Sequence, residues 1–369
     1  MKEKLERLSA ELRKEIVFGE RDYTPKSNSP VSNWLVNTKR HCNGGRTVDA
    51  GLWLKKHCDD GGKIFLTMSG AGSSFEQGIM IGELIRAGKI AAISVTGANL
   101  EESLYRLVAH SDYAYIPNYQ KLSRAQEKEL DVVGFRRITD TFLPEDESTR
   151  IVLPEIEKLW RESEARGEQL LWHEYFLRLF QRGMLTFDKD ANSADCWLYQ
   201  AWRENVPIFV PGWEDSTMGN IFTQACCDSD HPFLTKYKSG KPISKNIILP
   251  SVCYMHRLAE WYMDNTRERG IAFLQLGGGI AADFPICVVP HLKKDWLAEE
   301  TQEAQDRIIQ SWAGFIEIHD STMSFGSYSG AGADEKVTWG KLEEGSFGIQ
   351  IAGDYTTIFP DITALVLGK

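Results

Sequence analysis

The run Lys63-Ile64-Phe65-Leu66-Thr67-Met68-Ser69-Gly70-Ala71-Gly72-Ser73-Ser74 decides the fold of this chain. Its first six residues predict a buried strand, and the small residues after them predict a loop. Residues 75–87 predict a helix that ends at Gly88, and residues 90–95 predict a second buried strand. A strand, a helix and another strand in this order are typical of a parallel sheet with helical crossovers.

The alternation of strands and helices continues on both sides of this run. Thr96-Gly97-Ala98-Asn99 predicts a turn, followed by a helix over residues 100–109 with Glu101 and Glu102 in its first turn. Residues 119–150 are polar and predict irregular structure that can include a short helix, whereas residues 151–182 and 252–266 predict helices. Further strands are predicted at 112–116, 207–211, 271–276, 314–318 and 348–351. The pattern predicts an α/β fold with a doubly wound, mostly parallel, Rossmann-like sheet that carries helices on both faces.

The first 36 residues predict an extension before this fold. Leu5, Leu8, Leu12 and Ile16 recur at helical spacing, which predicts one amphipathic helix over residues 2–18. Residues 19–36 are rich in Pro, Ser and Asn and predict an extended linker. We therefore divide the chain into an N-terminal helix and linker, residues 1–36, and a catalytic domain, residues 37–369. The helix could pack on its own chain or on a neighbouring subunit.

Composition excludes several classes of function. The chain has 369 residues and a formal net charge of −10, which argues against binding to nucleic-acid phosphates and agrees with a cationic substrate. Its seven cysteines form no CxxC pair, so neither a zinc site nor a disulfide framework is predicted, and we predict no metal. The charged N-terminus lacks a signal peptide and no apolar run is long enough for a membrane span, which favours a cytoplasmic protein.

Five loops follow predicted strands and should meet at one edge of the sheet. Parallel strands bind ligands at their carboxyl ends, where free backbone N–H groups and small residues allow close approach. None of these loops has the GxGxxG pattern of a dinucleotide site, and the GxG in residues 70–72 is also typical of a plain tight turn. The five loops are residues 69–74, 96–102, 212–220, 277–283 and 320–341.

The tripeptide Trp339-Gly340-Lys341 ends the last of these loops, a few residues after the acidic pair Asp334-Glu335. A lysine acts as a nucleophile only when its amine is neutral, and an apolar wall such as an indole favours the neutral form. Taken alone, the tripeptide is better explained as a strand end, a glycine turn and a solvated lysine. Its context in the chain makes Lys341 the candidate nucleophile.

Taken in order, these loops resemble the deoxyhypusine synthase family over roughly residues 60–360. The motifs that carry the resemblance are Thr96 to Glu102, Pro211 to Asn220, Gly277-Gly278-Gly279, Ser329 to Lys341 and Asp354 to Pro360. The resemblance implies NAD-dependent transfer of an aminobutyl group from spermidine through an imine on Lys341. It also implies a homotetramer in which an N-terminal segment can cover a partner's site. The implied NAD contacts are Ser69, Ser73, Thr96, Gly97, Ala98, Glu102, Asp215, Gly278, Asp320, Ser321, Asp354 and Tyr355.

The chain departs from the family pattern in the half of the site that binds the amine. Asp283 stands where the family has a histidine, Asn220 where it has an acid, and Phe325 and Tyr328 where it has aspartates; Gly70 replaces an asparagine. These changes favour a small amine such as putrescine as acceptor, as in a homospermidine synthase-like enzyme. The predicted substrate contacts are Glu101, Glu102, Asn220, Asp283, Tyr328, Glu335 and Trp339.

Three alternatives remain open at this stage. The acceptor could be a lysine of a translation factor, as in deoxyhypusine synthase itself. The chain could also be an inactive homologue that binds NAD or a polyamine. An NAD-consuming deacylase is disfavoured because paired CxxC motifs are absent. For Glu101 and Glu102, the alternative is that they only stabilise the start of a helix through its dipole.

Overall fold

A six-stranded parallel sheet forms the centre of the fold. The computed structural model describes residues 2–18, 31–237, 240–266, 270–321, 323–326 and 331–369. The central strands lie in the order β10-β9-β8-β2-β3-β7, and each neighbouring pair is parallel. The strands are β1 Val17–Phe18, β2 Lys63–Met68, β3 Ile90–Val95, β4 Ala114–Tyr115, β5 Arg136–Ile138, β6 Thr141–Leu143, β7 Ile208–Phe209, β8 Ile271–Leu276, β9 Gly314–His319 and β10 Phe347–Ala352.

Helices cover both faces of the central sheet, as the sequence predicts. They are α1 Lys2–Leu5, α2 Ala10–Glu15, α3 Val31–Thr38, α4 Cys42–Asp59, α5 Gly78–Arg86, α6 Gly97–Val108, α7 Arg124–Val133, α8 Glu145–Arg166, α9 Trp172–Gln181, α10 Trp197–Arg203, α11 Thr217–Ala225, α12 Pro232–Tyr237, α13 Val252–Asn265, α14 Ile280–Ile286, α15 Val288–Pro290, α16 Gln302–Ile308, α17 Glu335–Thr338 and α18 Tyr355–Leu367. None of the helices in these described ranges is long and apolar enough to cross a membrane.

The two faces are packed by different aromatic contacts. On one face, Trp53 of α4 stacks on Phe347 with ring centroids 4.7 Å apart, and a Cβ at Gly314 would lie 2.4 Å from the Trp53 ring. On the other face, Phe65 stacks on Phe273 at 5.6 Å and meets Trp261 of α13 at the same distance. Side chains alternate between the two faces along a strand. β9 therefore needs a glycine on the face that packs against Trp53, and it carries large side chains on the opposite face.

The strand predicted at 112–116 is real but belongs to a different sheet. β4 is only Ala114–Tyr115 and lies in a four-stranded sheet of order β1-β4-β6-β5, whose pairs are antiparallel. The short helix predicted within 119–150 is confirmed as α7, but the rest is not irregular, since the β5–β6 hairpin and the start of α8 occupy it. A separate cluster that includes Ile116, Leu130 and Phe142 forms the core of this small sheet. Short strands with few apolar residues explain why the sequence pattern missed it.

The single helix predicted over residues 2–18 is wrong. Two short helices and strand β1 replace it, and Ser9 caps the second helix by accepting a hydrogen bond from the Leu12 N–H at 3.4 Å. The predicted apolar face is nevertheless buried, because Leu8, Leu12 and Ile16 pack into the core of the small sheet. The extension therefore packs on its own chain.

The linker predicted over residues 19–36 is only partly within the described residues. Residues 19–30 lie outside them, and the rest is helical, because α3 starts at Val31 and packs against α18. Gly167, at φ 63°, divides the helical region predicted over 151–182 into α8 and α9. The domain boundary at residue 36 stays a prediction.

Candidate active site at the carboxyl edge of the sheet

The loops after β2 and β8 and the start of α18 meet at the carboxyl edge of the sheet. The Ser69 hydroxyl donates to the Gly278 carbonyl, and the Tyr355 hydroxyl donates to the Ser69 carbonyl at 2.8 Å. Gly277, at φ 75°, takes a backbone conformation that favours glycine and donates its N–H to the Ile318 carbonyl at 2.9 Å. Three predicted cofactor residues, Ser69, Gly278 and Tyr355, are therefore in direct contact.

Asn99 joins the loop after β2 to the start of α6. Its side-chain oxygen accepts from the Ser73 N–H at 2.9 Å, and its amide donates to the Gly70 carbonyl at 2.9 Å and to the Thr96 hydroxyl at 3.0 Å. The Ser73 hydroxyl donates to the Asn99 carbonyl at 2.7 Å and accepts from the Trp197 indole N–H at 3.0 Å. Asn99 lies in the motif Thr96 to Glu102 but is not among the predicted site residues. The sequence signal that could have identified it is an amide side chain in the motif directly after the predicted strand 90–95.

Glu102 is a buried carboxylate that faces the loop after β2. It accepts a hydrogen bond from the Ser74 hydroxyl, and burial raises its pKa to about 7. Arg106, one helical turn further on, donates to the Ser74 carbonyl at 2.6 Å and lies 3.6 Å from the centre of the Tyr113 ring. Glu102 can therefore exchange a proton near neutral pH at the edge where the cofactor residues meet.

Glu101 has a different environment from Glu102. Its two carboxylate oxygens accept the backbone N–H groups of Thr217 and Met218, each at 2.8 Å, at the start of α11. Burial raises the pKa of Glu101 to about 8. Because α6 begins at Gly97, neither glutamate lies in its first turn, so the helix-dipole alternative fails for α6. Glu101 instead satisfies the free N–H groups of α11.

An open cleft of about 810 Å3 lies beside the predicted cofactor residues Asp354 and Tyr355. The Asp354 side chain accepts from the Thr356 N–H at 3.0 Å and so begins α18. On its far side the cleft is bounded by the small sheet, so β4 and β6 contribute to the walls of the candidate site. Its other lining residues include Ser74, Phe75, Tyr113, Tyr115, Tyr119 and Asp140.

The remaining predicted cofactor residues lie on neighbouring loops. Asp215 is exposed in the loop after β7. This loop approaches α6 closely, because a Cβ at Gly97 would lie 2.5 Å from the Trp213 carbonyl oxygen. Asp320 is exposed after β9, and the Ser321 N–H donates to His319 Nδ1 at 2.8 Å. Ala98 lies in the first turn of α6. The structure thus places all of them on loops or helix starts after strands.

Lys341 belongs to a cluster of charged residues around Lys336 of α17. Its carbonyl accepts from the Trp312 N–H at 3.1 Å, and its Nζ is 5.8 Å from the centre of the Trp339 ring. Lys336, on α17, interacts electrostatically with Lys341, Asp283, Glu317 and Glu335. Trp339 is 59% exposed in the single chain, so the apolar wall that it offers Lys341 is open on one side.

Of the predicted substrate residues, Asp283 and Glu335 lie beside this cluster. Glu335 also accepts the Gly332 N–H at 3.1 Å, which holds the loop before α17. Asn220 is exposed on α11, and Tyr328 lies outside the described residues. Helix α14 links the two halves of the site, because Gly278 just before it contacts Ser69, and Asp283 in its first turn interacts electrostatically with Lys336.

Sequence reasoning missed Lys336 and Glu317. Glu317 is 1% exposed on β9, where Gln275 Nε2 donates to one carboxylate oxygen at 3.0 Å and Gln350 Nε2 donates to the other. The signal was a charged residue within the apolar strand Gly314-Phe315-Ile316-Glu317-Ile318. A charge there is costly to bury unless it has partners, so it marks a site.

Comparison with known proteins agrees with this architecture. The profile described as deoxyhypusine synthase matches residues 41–366, most of the chain. The chain belongs to the deoxyhypusine synthase family. The resemblance seen in the sequence is therefore confirmed, and the chain is an enzyme of the aminobutyl transferase class.

The relatives in this family are distant in sequence. A Picrophilus torridus protein named "Probable deoxyhypusine synthase" is 23% identical over 77% of this chain and 76% of its own length. The deoxyhypusine synthase of Nicotiana tabacum is 22% identical over 76% of this chain and 65% of its own length. A crystal structure provisionally assigned as an Entamoeba histolytica deoxyhypusine synthase shares the fold, with a TM-score of 0.51, 10% identity and 90% of each chain covered.

Proposed function

We propose that this enzyme transfers an aminobutyl group between polyamines with NAD as a recycled cofactor, through an imine on Lys341, and that its acceptor is a small amine. The observation that carries the proposal is the position of α14. Gly278, just before it, contacts Ser69 at the cofactor edge, while Asp283 in its first turn interacts electrostatically with Lys336. One short helix thus connects the residues suited to a nucleotide with those suited to an amine.

The carboxyl edge has the features that NAD would need. The cleft beside Asp354 falls within the size range of small-molecule sites, and the positive φ of Gly277 and Gly279 lets the backbone approach a ligand closely. Asp354 and Asp215 are exposed carboxylates that suit ribose hydroxyls. We assign the cofactor to these residues together with Ser69, Gly278 and Tyr355. NAD bound there would accept a hydride from the donor amine and later return it.

Lys341 supplies the covalent chemistry in this proposal. Its neutral amine attacks the oxidised carbon of the donor, forms a C=N bond to the butyl group and expels the remainder of the donor as a free amine. Asp283 and Glu335 pair with ammonium groups of the substrate, and the Trp339 ring attracts a cation through its face. The acceptor amine then displaces Lys341 by the reverse exchange, and reduction of the new C=N bond completes transfer.

The small acceptor follows from the altered amine half of the site. Asp283 offers a carboxylate where the family has an imidazole, so it pairs with an ammonium group of the substrate. Phe325 is 54% exposed and offers a ring where the family has an acid. These groups suit a flexible diamine.

A second copy of the chain is proposed to cover the open side of the site. Met323, Phe325 and Trp339 are more than half exposed in the single chain, which is unusual for large apolar side chains beside a functional cluster. A homotetramer, as the resemblance implies, would bury them. Light scattering of the purified protein measures this assembly, and a monomer at assay concentration would contradict it.

Product analysis tests the proposed reaction. Purified protein is incubated with spermidine, NAD and putrescine, and mass spectrometry is used to detect homospermidine. A parallel reaction replaces putrescine with a translation factor that carries an acceptor lysine. Homospermidine formation supports the proposal, a modified translation factor without homospermidine supports the deoxyhypusine synthase alternative, and no product across a range of pH supports an inactive homologue.

A further inference from the structure

Lys293 is a buried lysine that the proposed reaction does not use. It lies in a single turn of π-helix, His291–Trp296, after which the Leu297 N–H donates to the Leu292 carbonyl at 3.2 Å. Only 2% of its side chain is exposed. A buried ammonium group is costly without partners, and π-turns are rare and occur frequently at functional sites. Both features indicate that this lysine has a specific role.

The Lys293 ammonium group joins three other segments of the chain to the π-turn. Its Nζ donates to the Asp306 carboxylate at 2.6 Å, to the Ser311 hydroxyl at 2.9 Å and to the Glu343 carboxylate at 3.2 Å. These three contacts use all of its N–H groups. The Ser311 hydroxyl in turn donates to Glu343. Lys293 therefore links α16, the segment before β9 and the segment that follows Lys341.

Two of these contacts lead to the candidate nucleophile. Glu343 follows Lys341 by two residues in the sequence. Trp312, the residue after Ser311, donates its N–H to the Lys341 carbonyl at 3.1 Å. The backbone from Lys341 onward is thus held at two points, and both are connected to Lys293 through Glu343 or Ser311.

The π-turn also contacts the chain just before Lys341. A Cβ at Gly340 would lie 3.7 Å from the Cε atom of Lys294, the neighbour of Lys293 in the turn. Gly340 has a φ of 70°, a backbone conformation that favours glycine. The π-turn therefore supports residues 340–343 on both sides of the candidate nucleophile.

We propose that Lys293 is a positioning residue that fixes the backbone of Lys341 through Glu343. This inference rests on the proposed function, in which Lys341 is the nucleophile, and adds a residue on which its placement depends. A lysine amine lies at the end of a flexible four-carbon stem, so its reactive position is defined only when the backbone that carries it is fixed. Lys293 itself forms no bond to the substrate.

The rate of borohydride trapping on Lys341 tests this role. The purified protein is mixed with NAD and spermidine, borohydride is added at successive times, and peptide mass spectrometry measures the alkyl group on Lys341. Lys293→Met should slow trapping by about tenfold to a hundredfold, because a small displacement of a reacting group is costly. Reduction of NAD, followed by absorbance before borohydride is added, should keep its wild-type initial rate, because it precedes the step that uses Lys341.

Two milder variants separate positioning from general stability. Glu343→Gln changes the carboxylate that connects Lys293 to the segment after Lys341, on a side chain that is 57% exposed. Asp306→Asn changes the other carboxylate, which is closer to Lys293 but lies on α16. Glu343→Gln should slow trapping by about tenfold, and Asp306→Asn should not slow it, although each removes one charge beside the same ammonium group. Urea unfolding gives the stability of each variant, and the comparison of these two decides the question even if Lys293→Met does not fold.

The outcomes separate this inference from the proposed function. If the wild type gains no alkyl group on Lys341, the proposed function and this inference both fail. If the wild type is trapped and Lys293→Met is trapped equally fast, only the positioning role is overturned. If Asp306→Asn slows trapping as much as Glu343→Gln, or if NAD reduction falls in step with trapping, Lys293 only stabilises the fold and the positioning role is likewise overturned.

Discussion

The Tyr355 hydroxyl donates a hydrogen bond of 2.8 Å to the Ser69 carbonyl, although 286 residues separate the two in the sequence. This bond ties the start of α18 to the loop after β2. The Tyr355 side chain also lies against the loop after β8, because a Cβ at Gly277 would lie 3.5 Å from its ring. One tyrosine thus holds together three loops at the carboxyl edge.

Tyr355→Phe should loosen this edge. The change removes one hydrogen bond and leaves a carbonyl without its donor, which should cost about 1 kcal/mol of unfolding free energy. It should also weaken NAD binding, because the loops that approach the cofactor lose their tie. Urea unfolding and NAD titration measure the two effects. Tyr199→Phe is the matched control, because Tyr199 packs through its ring against Phe180. Equal behaviour of the two variants would contradict the assigned role.

Glu101→Gln should destabilise the protein through α11. The glutamate accepts two backbone N–H groups at the start of that helix, and an amide offers only one accepting oxygen there. We expect a loss of about 1–2 kcal/mol in unfolding free energy. The exposed Glu157→Gln on α8 serves as control. If Glu101→Gln kept its stability but lost affinity for the amine, Glu101 would be a substrate contact, as the sequence predicts.

Glu102 should make stability depend on pH. Burial raises its pKa from 4.5 in the unfolded chain to about 7 in the folded protein, so the folded state keeps a proton that the unfolded state has released. Its contribution to the unfolding free energy is therefore present below the unfolded pKa and is lost as the pH rises toward and through about 7. Glu102→Gln should remove this slope between about pH 5 and pH 8. Denaturant unfolding across that window measures it, and parallel curves for the two proteins would be the contrary result.

Lys341→Ala should abolish trapping of the substrate on the protein. Borohydride reduces an imine to a stable secondary amine, so the wild type incubated with spermidine and NAD should gain an alkyl group on Lys341. Peptide mass spectrometry locates that group. Lys189→Ala, which removes a lysine that is 87% exposed, should trap as the wild type does. An adduct on Lys336 in place of Lys341 would reassign the nucleophile.

The positions of three central strands along the chain, and the parallel α/β class, could be predicted from the sequence. The predicted strands 63–68, 90–95 and 271–276 coincide with β2, β3 and β8, because fully buried parallel strands are continuous apolar runs. The motifs after them led to the correct family, since each pairs a short run of small residues with a strand end. Lys341 was found the same way and stays a prediction until it is trapped.

The small sheet could not be predicted, because β1 and β4 have two residues each and pair across nearly a hundred positions. Neither could the split of the N-terminal helix, whose apolar spacing is the same whether or not the chain breaks at Ser9. In both cases the pattern of apolar residues in the sequence indicates which side chains are buried. Only the tertiary structure shows which residues they pack against.

The same distinction applies to the roles of individual charged residues. The sequence by itself determined that Glu101 and Glu102 follow β3, that Lys341 ends a loop and that Glu317 interrupts an apolar strand. Only the tertiary structure decided that Glu101 caps α11, that Glu102 faces Ser74 and that Gln275 and Gln350 donate to Glu317. The physical reason is that a strand or helix period depends on neighbouring residues, whereas the partner of a buried charge is supplied by distant segments brought together by folding.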